Sequence, residues 1–383
     1  MPYGVTMERK ISYTLLLGFA MSSVGGPLAL AAVYLNFGAS TFPQWAVVLT
    51  GFFVFLFPMY IWYKYSESIS SPGGMYEFVY RAAGKKAAKL QGWAWAFSYF
   101  LYLPYTMSYI LFYLLPSIFN LPTIYLYLLG ILLPAMICFL MLLDKRVSLS
   151  VLTIGAAIQL LFVVGMVFYI HAPSAMHYMW NAMPAKSISA SFSFSLLLVC
   201  SSLPLYLGGE AKDARKRIGP SIVISVATVS MLLAIWASVH PSVPASPGSY
   251  SAYQSGFALS MKYAPAAFSN ALGIFIIVSI VSLVIAEFFA LSRLLHSMLG
   301  ISVRKSTGWI SLFFMFFASI SLIDPRGFYN ITLYPSLIAL YLSLLIPVLA
   351  YPFFRRKLRL LSLLDMIAVI ISAALFIYGI LLL

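Results

Sequence analysis

The chain has 383 residues, of which 62% are hydrophobic and only 8% charged, too few charges to keep a soluble fold of this size dispersed. Its net charge of +14 would suit nucleic acid, but the basic residues fall in short clusters between apolar runs rather than along one face, so membrane topology accounts for them better. Cys138 and Cys200 both lie inside apolar runs, which leaves neither a disulfide framework nor metal-ligand spacing.

A membrane-spanning helix needs about 20 predominantly apolar residues. In chain order, apolar runs bounded by Pro, Gly and charge predict eleven spans, at 11–36, 44–63, 91–116, 122–142, 148–170, 190–209, 219–239, 265–293, 307–323, 330–354 and 361–382. The first follows Glu8-Arg9-Lys10, yet it is too long for the apolar region of a signal peptide, so it reads as a retained helix. With the N-terminus cytoplasmic, twenty of the 23 Lys and Arg fall in inner loops, and only Lys186, Lys262 and Arg326 fall elsewhere. The positive-inside rule therefore fixes that orientation, and eleven spans put the C-terminus outside. A multi-pass protein of the plasma membrane is expected, with the lipid bilayer as its solvent.

The same orientation runs the first span inward to outward and the sixth outward to inward, as a five-plus-five inverted repeat requires. The expected fold is all-α and polytopic. Residues 11–170 form the first repeat, residues 190–354 the second, and residues 361–382 an extra helix. Both the first and sixth spans are interrupted at mid-depth. The first carries Met21-Ser22-Ser23-Val24-Gly25-Gly26-Pro27 and the sixth carries Cys200-Ser201-Ser202-Leu203-Pro204. Gly and Pro weaken the backbone ladder there, while serine hydroxyls can satisfy freed peptide groups. Unwound backbone at that depth is tolerated only where it is buried or lines a cavity, so paired interruptions point to a transport site. The plainer account is close helix packing through Gly and Ser with a Pro kink.

After the second span, Ser71-Pro72-Gly73-Gly74-Met75-Tyr76-Glu77 runs on to Gly84 and Gly92-Trp93. After the sixth, the chain reads Gly209-Glu210-Ala211-Lys212-Asp213-Ala214-Arg215-Lys216-Arg217-Ile218-Gly219-Pro220, and the eighth span ends Ser292-Arg293-Leu294-Leu295. These three ordered segments resemble the Pro-x-x-Gly-Gly-x-Tyr, Glu-x-x-Asn-Pro-x-Arg-x-x-Pro and Ser-Arg signatures of amino acid permeases in the amino acid–polyamine–organocation superfamily. Asp213-Ala214 stands here in place of Asn-Pro. The resemblance implies an inverted-repeat transporter with its substrate between helices 1 and 6, flanked by helices 3, 8 and 10. Carried over by position, the site would involve Ser22, Ser23, Val24, Gly25 and Gly26 with Cys200, Ser201, Ser202 and Leu203. Family members usually have twelve spans against the eleven read here.

An unwound helix exposes N–H groups at one half-helix start and C=O groups at the other half-helix end, so a zwitterion can use both poles. Its carboxylate would lie against the amides of Val24 to Gly26 and its ammonium against carbonyls near Ser22 and Cys200 to Ser202. The middles of spans 1, 3, 6 and 10 carry no charged side chain, which favours a neutral amino acid over polyamines, arginine or lysine. On span 3, Trp95, Tyr99, Tyr102, Tyr105 and Tyr109 recur at helical spacing. Such a stripe serves packing, or Tyr102 and Tyr105 cover the substrate.

For coupling, Glu287 is the one acid well inside a span; it carries a proton, or it is paired or hydrogen-bonded within the bundle. Proton-coupled members of the superfamily are described with a lysine in helix 5 beside broken helix 1. This sequence offers Gln159 near that level, and an amide cannot cycle a proton. Ser279 and Ser282 on span 8 would supply hydroxyl oxygens to a sodium ion, or serve packing. The loop from His171 to Met183 holds soft ligands for copper, or is a Met- and Trp-rich interfacial loop. No cofactor, metal or catalytic residue is expected, and no P-loop or nucleotide fingerprint occurs. The reading is thus a secondary carrier of neutral amino acids, by symport or exchange. Its rivals are a carrier of amines or nucleobases and an intramembrane enzyme, whose acids and histidines would have to gather at one face. The sequence fixes no oligomeric state.

Overall fold

A computed structural model of the chain describes residues 11–33, 43–119, 121–170, 184–239, 257, 261, 263–358 and 360–383. The loop from His171 to Met183 lies outside these, and with it the copper reading. The described helices are α1 (Tyr13–Ser23), α2 (Pro27–Val33), α3 (Gln44–Ser68), α4 (Met75–Ala83) and α5 (Lys85–Tyr109). A π turn (Ile110–Leu114) and α6 (Leu115–Ile118) continue α5, and α7 (Thr123–Leu142) and α8 (Lys145–Tyr169) follow. The second half holds α9 (Pro184–Leu197), a 3-10 helix (Val199–Leu207), α10 (Ala214–Val239), α11 (Ala266–Leu299), α12 (Val303–Ser321), α13 (Pro325–Lys357) and α14 (Leu363–Leu381).

Among the described residues, nine helical stretches are long and apolar enough to cross a membrane. Two more long helices, α5 and α12, begin with charge, at Lys85, Lys86 and Lys89 and at Arg304 and Lys305. Together they lie where the eleven spans were expected. The expectation differs at α5, which starts at Lys85 and not at 91, because its lysine turn is itself helical behind Gly84. It also differs at α4, a nine-residue helix in what reads as a loop. There Met75, Tyr76, Phe78, Val79 and Ala82 are buried while Glu77 and Arg81 pair one turn apart at 2.9 Å.

Burial sorts the spans into an inner and an outer set. The stretch Tyr13–Ala32 is 78% buried and both Ser187–Leu207 and α11 are 72% buried, whereas α7 and α8 are only 33% buried. Outward faces such as Ile124, Met136, Phe139, Ile154 and Phe168 are exposed apolar surface, which lipid suits and water does not. The interrupted segments therefore occupy the centre, ringed by continuous helices.

Candidate functional site

The first span is broken where its glycines stand. The α-helix stops at Ser23, Gly25 and Gly26 take φ values of 61° and 67°, and α2 begins at Pro27. Those angles suit residues without a Cβ, and Pro is pre-set for a first helical position. The break is tied to α8 and α11 by side chains. Ser22 Oγ donates to the Leu152 carbonyl at 3.0 Å, and Ser23 Oγ turns back to the Ala20 carbonyl at 2.8 Å. The Ala29 N–H, in the first turn of α2, donates to Ser279 Oγ at 3.2 Å, so a residue of α11 caps a helix from which it is 250 positions distant. Ser279 Oγ in turn donates to Gln159 Oε1 at 2.7 Å, while Gln159 Nε2 is buried with no hydrogen-bond partner among the described residues. Ser282 Oγ donates to the Val278 carbonyl of its own helix.

The sixth span is interrupted differently. Its α-helix ends at Leu197, three residues before Cys200, and resumes after Leu198 as nine residues of 3-10 helix. The sequence reading expects Cys200 to Leu203 to be unwound; instead they are rewound, with the Ser201 N–H bonded to the Leu198 carbonyl at 3.0 Å. A 3-10 run of that length is uncommon and marks strain or a hinge. Ser201, Ser202 and Leu203 are buried, and Ser201 Oγ has no hydrogen-bond partner among the described residues.

Between the two breaks lies a cavity of about 430 Å³. Gly25, Ala29 and Leu30 contribute from the first break and Leu197, Val199 and Cys200 from the second. Tyr102, Tyr105 and Tyr109 of α5 and Tyr329 of α13 form an aromatic wall, with Tyr105 and Tyr329 edge to face at 5.6 Å. No charged side chain lines the cavity among the described residues. The aromatic stripe of α5 divides along its length. Trp95 packs in the core against both Tyr99 and Tyr206, and Tyr102, Tyr105 and Tyr109 reach the cavity. Of the residues singled out from sequence, Gly25, Cys200, Tyr102 and Tyr105 line it. Ser22, Ser23, Val24 and Ser201 to Leu203 are buried behind, Gln159 and Ser279 brace the first break, and Ser282 bonds within its own helix.

Glu287 is fully buried on α11. The Cys200 thiol donates to its Oε1 at 3.5 Å, and the Tyr99 hydroxyl lies 3.7 Å from that sulfur. Its Oε2 has no hydrogen-bond partner among the described residues.

The three segments that carry the family resemblance meet at one end of the bundle. Gly74, at a φ of 49°, lies flat against the Tyr206 ring, where a Cβ would sit 2.7 Å from it, and Gly209 packs on Pro72. Glu210 joins Arg293 at 2.9 Å and Lys145 at 2.9 Å, with the first two nearly fully buried. Burial alone would push the Glu210 carboxyl up; the Arg293 guanidinium and the Lys145 ammonium outweigh that and hold it below the ordinary carboxylate range. Ile11 adds a short β-bridge across this junction, accepting from the Lys212 N–H and donating to the Glu210 carbonyl. A second cavity, of about 610 Å³, opens beside Lys145, Glu210, Phe289 and Arg293. Sequence reasoning missed this cluster; the Glu of one motif and the Arg of another were the available signal. The Asp213-Ala214 departure is also explained. Asp213 adopts a φ of 51°, which Asn and Asp tolerate best, and Ala214 takes the first helical position that Pro favours.

No protein-family model and no curated protein sequence matches the chain. Solved structures do. A Na+-coupled sialic acid symporter, in a substrate-bound outward-open state, superposes with a TM-score of 0.62 at 12% identity, covering 96% of this chain and 88% of that one. Mhp1, a nucleobase-cation-symport-1 family transporter in a closed conformation with bromovinylhydantoin bound, gives 0.61 at 13% identity, covering 98% and 92%. The fold is therefore the five-plus-five inverted repeat, all-α, with discontinuous first and sixth spans and a further C-terminal helix.

Proposed function

We propose that this protein is a secondary transporter that moves a neutral amino acid across the plasma membrane by alternating access, with its solute held in the central cavity. The observation that carries the reading is the cavity of about 430 Å³ between two helix breaks, with no charged side chain in its wall among the described residues. A net-charged solute would meet no charged side chain there, whereas a zwitterion meets the peptide dipoles of both half-helices. Residues 11–170 and 190–354 act as the two repeats and 361–382 as the additional helix, with the basic end cytoplasmic. Gly25 and the amides beside it face the carboxylate, Cys200 and the neighbouring carbonyls face the ammonium, and Tyr102 and Tyr105 cover the side chain. The Glu210, Arg293 and Lys145 cluster closes the cytoplasmic end.

The aromatic wall favours one alternative, a planar heterocycle stacked on the tyrosines. One of the structurally similar transporters binds a hydantoin. Counterflow of radiolabelled leucine into proteoliposomes tests the choice. Competition by leucine and alanine but not by uracil or putrescine is expected; competition by uracil alone establishes the alternative, and no uptake of any of the four overturns the proposal.

A further inference from the structure

Movement of a neutral solute leaves one group unused. Glu287 is a carboxyl in the bundle core, and no Lys, Arg or His comes within 4.0 Å of it among the described residues. The titratable groups in a row with it are Cys200, on the 3-10 segment and in the wall of the solute cavity, and Tyr99, on α5 in the core behind. The charged side chains on the other helices packed on α11 stand at those helices' starts, Lys85, Lys86 and Lys89 on α5, Lys145 and Arg146 on α8, and Arg304 and Lys305 on α12. Arg293, six residues further along α11 and so about 9 Å of helix rise away, is engaged by Glu210. An ionised Glu287 would be a buried charge without a counter-ion, so the neutral acid is the form this enclosure holds.

Its position is between two spaces. Cys200 lines the solute cavity on one side, and Phe289 and Arg293, on the same helix as Glu287, line the cavity at the basic end on the other. The thiol that touches Oε1 belongs to the segment whose helix type changes at Leu198, which is the element that a hinge motion would displace. Resting on the transport reading above, we propose that Glu287 binds the proton that accompanies the solute, with Cys200 as the contact through which an occupied cavity alters that carboxyl's hold on it. The bond made is a carboxyl O–H bond and the bond broken on release is the same one; nothing is oxidised or reduced. While the thiol donates to Oε1 the acid stays sealed. Once the 3-10 segment moves, the carboxyl opens toward the basic cavity, where Arg293 favours its ionised form and the proton leaves. Because coupling is reciprocal, solute binding and proton binding must then strengthen one another.

The test uses two readouts on the purified full chain in proteoliposomes. With a pH dye trapped inside, leucine added outside is expected to acidify the lumen of wild-type vesicles. Glu287→Gln is expected to lose that acidification and the accumulation driven by an imposed pH gradient, yet to keep leucine counterflow, which needs no net proton movement. Cys200→Ala keeps the carboxyl and is expected to acidify less per leucine moved. Separately, infrared difference spectra between acidic and alkaline buffer, with no solute present, are expected to show a buried carboxyl band that titrates in wild type and vanishes in Glu287→Gln. If leucine fails to move at all, the substrate reading fails and the infrared band alone decides this one. A Glu287→Gln protein that still acidifies the lumen, or a wild type whose titrating carboxyl bands are all retained in Glu287→Gln, overturns the proposal.

Discussion

The centre of this molecule and its basic end solve opposite problems. At the centre, backbone geometry creates polarity without charge: two glycines at positive φ, a 3-10 segment and capping hydroxyls surround a neutral cavity. At the basic end, Glu210, Arg293 and Lys145 put formal charges together in a nearly buried cluster. Peptide dipoles at the centre can be rearranged by small rotations, whereas separating a buried ion pair strands a charge. Under the transport proposed above, the contrast would suit a binding place that must let go and a closure that must hold until it is hydrated.

The largest effect should come from the charged end. Glu210→Ala leaves Arg293 buried and uncompensated, and removing one partner of a buried pair costs about 3–5 kcal/mol. A large drop in thermal unfolding temperature in detergent is expected, and an unchanged one would mean the cluster is hydrated and the contrast false. The Glu210 carboxyl is held low in the folded protein, so its contribution is present above the unfolded carboxylate value of about 4.3 and is lost as pH falls through the lower folded value. Acid scans should therefore destabilise wild type more steeply than Glu210→Gln. Next in size is Gly26→Ala, which pays about 1–2 kcal/mol for its backbone angle alone. Its new Cβ would also sit 2.7 Å from Ser279 Oγ and 3.0 Å from the Ser279 carbonyl oxygen, so α2 must shift. Leucine counterflow should be lost in protein that remains monodisperse on gel filtration.

Much of the centre is legible in sequence because its chemistry is local. Gly25-Gly26-Pro27 announces a break wherever it stands in an apolar run, and the eleven spans follow from run length. The second break is less so. Pro204 lies inside the 3-10 segment and the α-helix ends at Leu197, seven residues before it, so the proline does not mark where the helix breaks. The charged cluster is legible only as a Glu in one motif and an Arg in another, since Glu210 and Arg293 are 83 positions apart and only packing brings them together. Nor does sequence show that Ser279 caps α2, or that Glu287 meets a thiol and not a loop lysine.

Smaller effects refine the picture of the centre. Ser279→Ala removes the acceptor for the Ala29 N–H, worth about 1 kcal/mol as a lost cap, and should lower thermal stability modestly while raising the leucine concentration needed for half-maximal counterflow. Tyr105→Phe keeps the ring that packs on Tyr329 and removes only a hydroxyl, so leucine affinity should fall by less than about tenfold. A larger loss would place that hydroxyl directly on the solute's carboxylate.

The proposed solute position is the space beside both breaks, and Cys200 is a built-in reporter of that space, 8% exposed and in its wall. With Cys138→Ser removing the second thiol, the rate of Cys200 alkylation by a small maleimide can be followed as leucine is added. Slow labelling that leucine slows further is expected, with the same concentration dependence as counterflow. A labelling rate unmoved by leucine, in protein that demonstrably carries leucine, would put the solute elsewhere and contradict the proposed position.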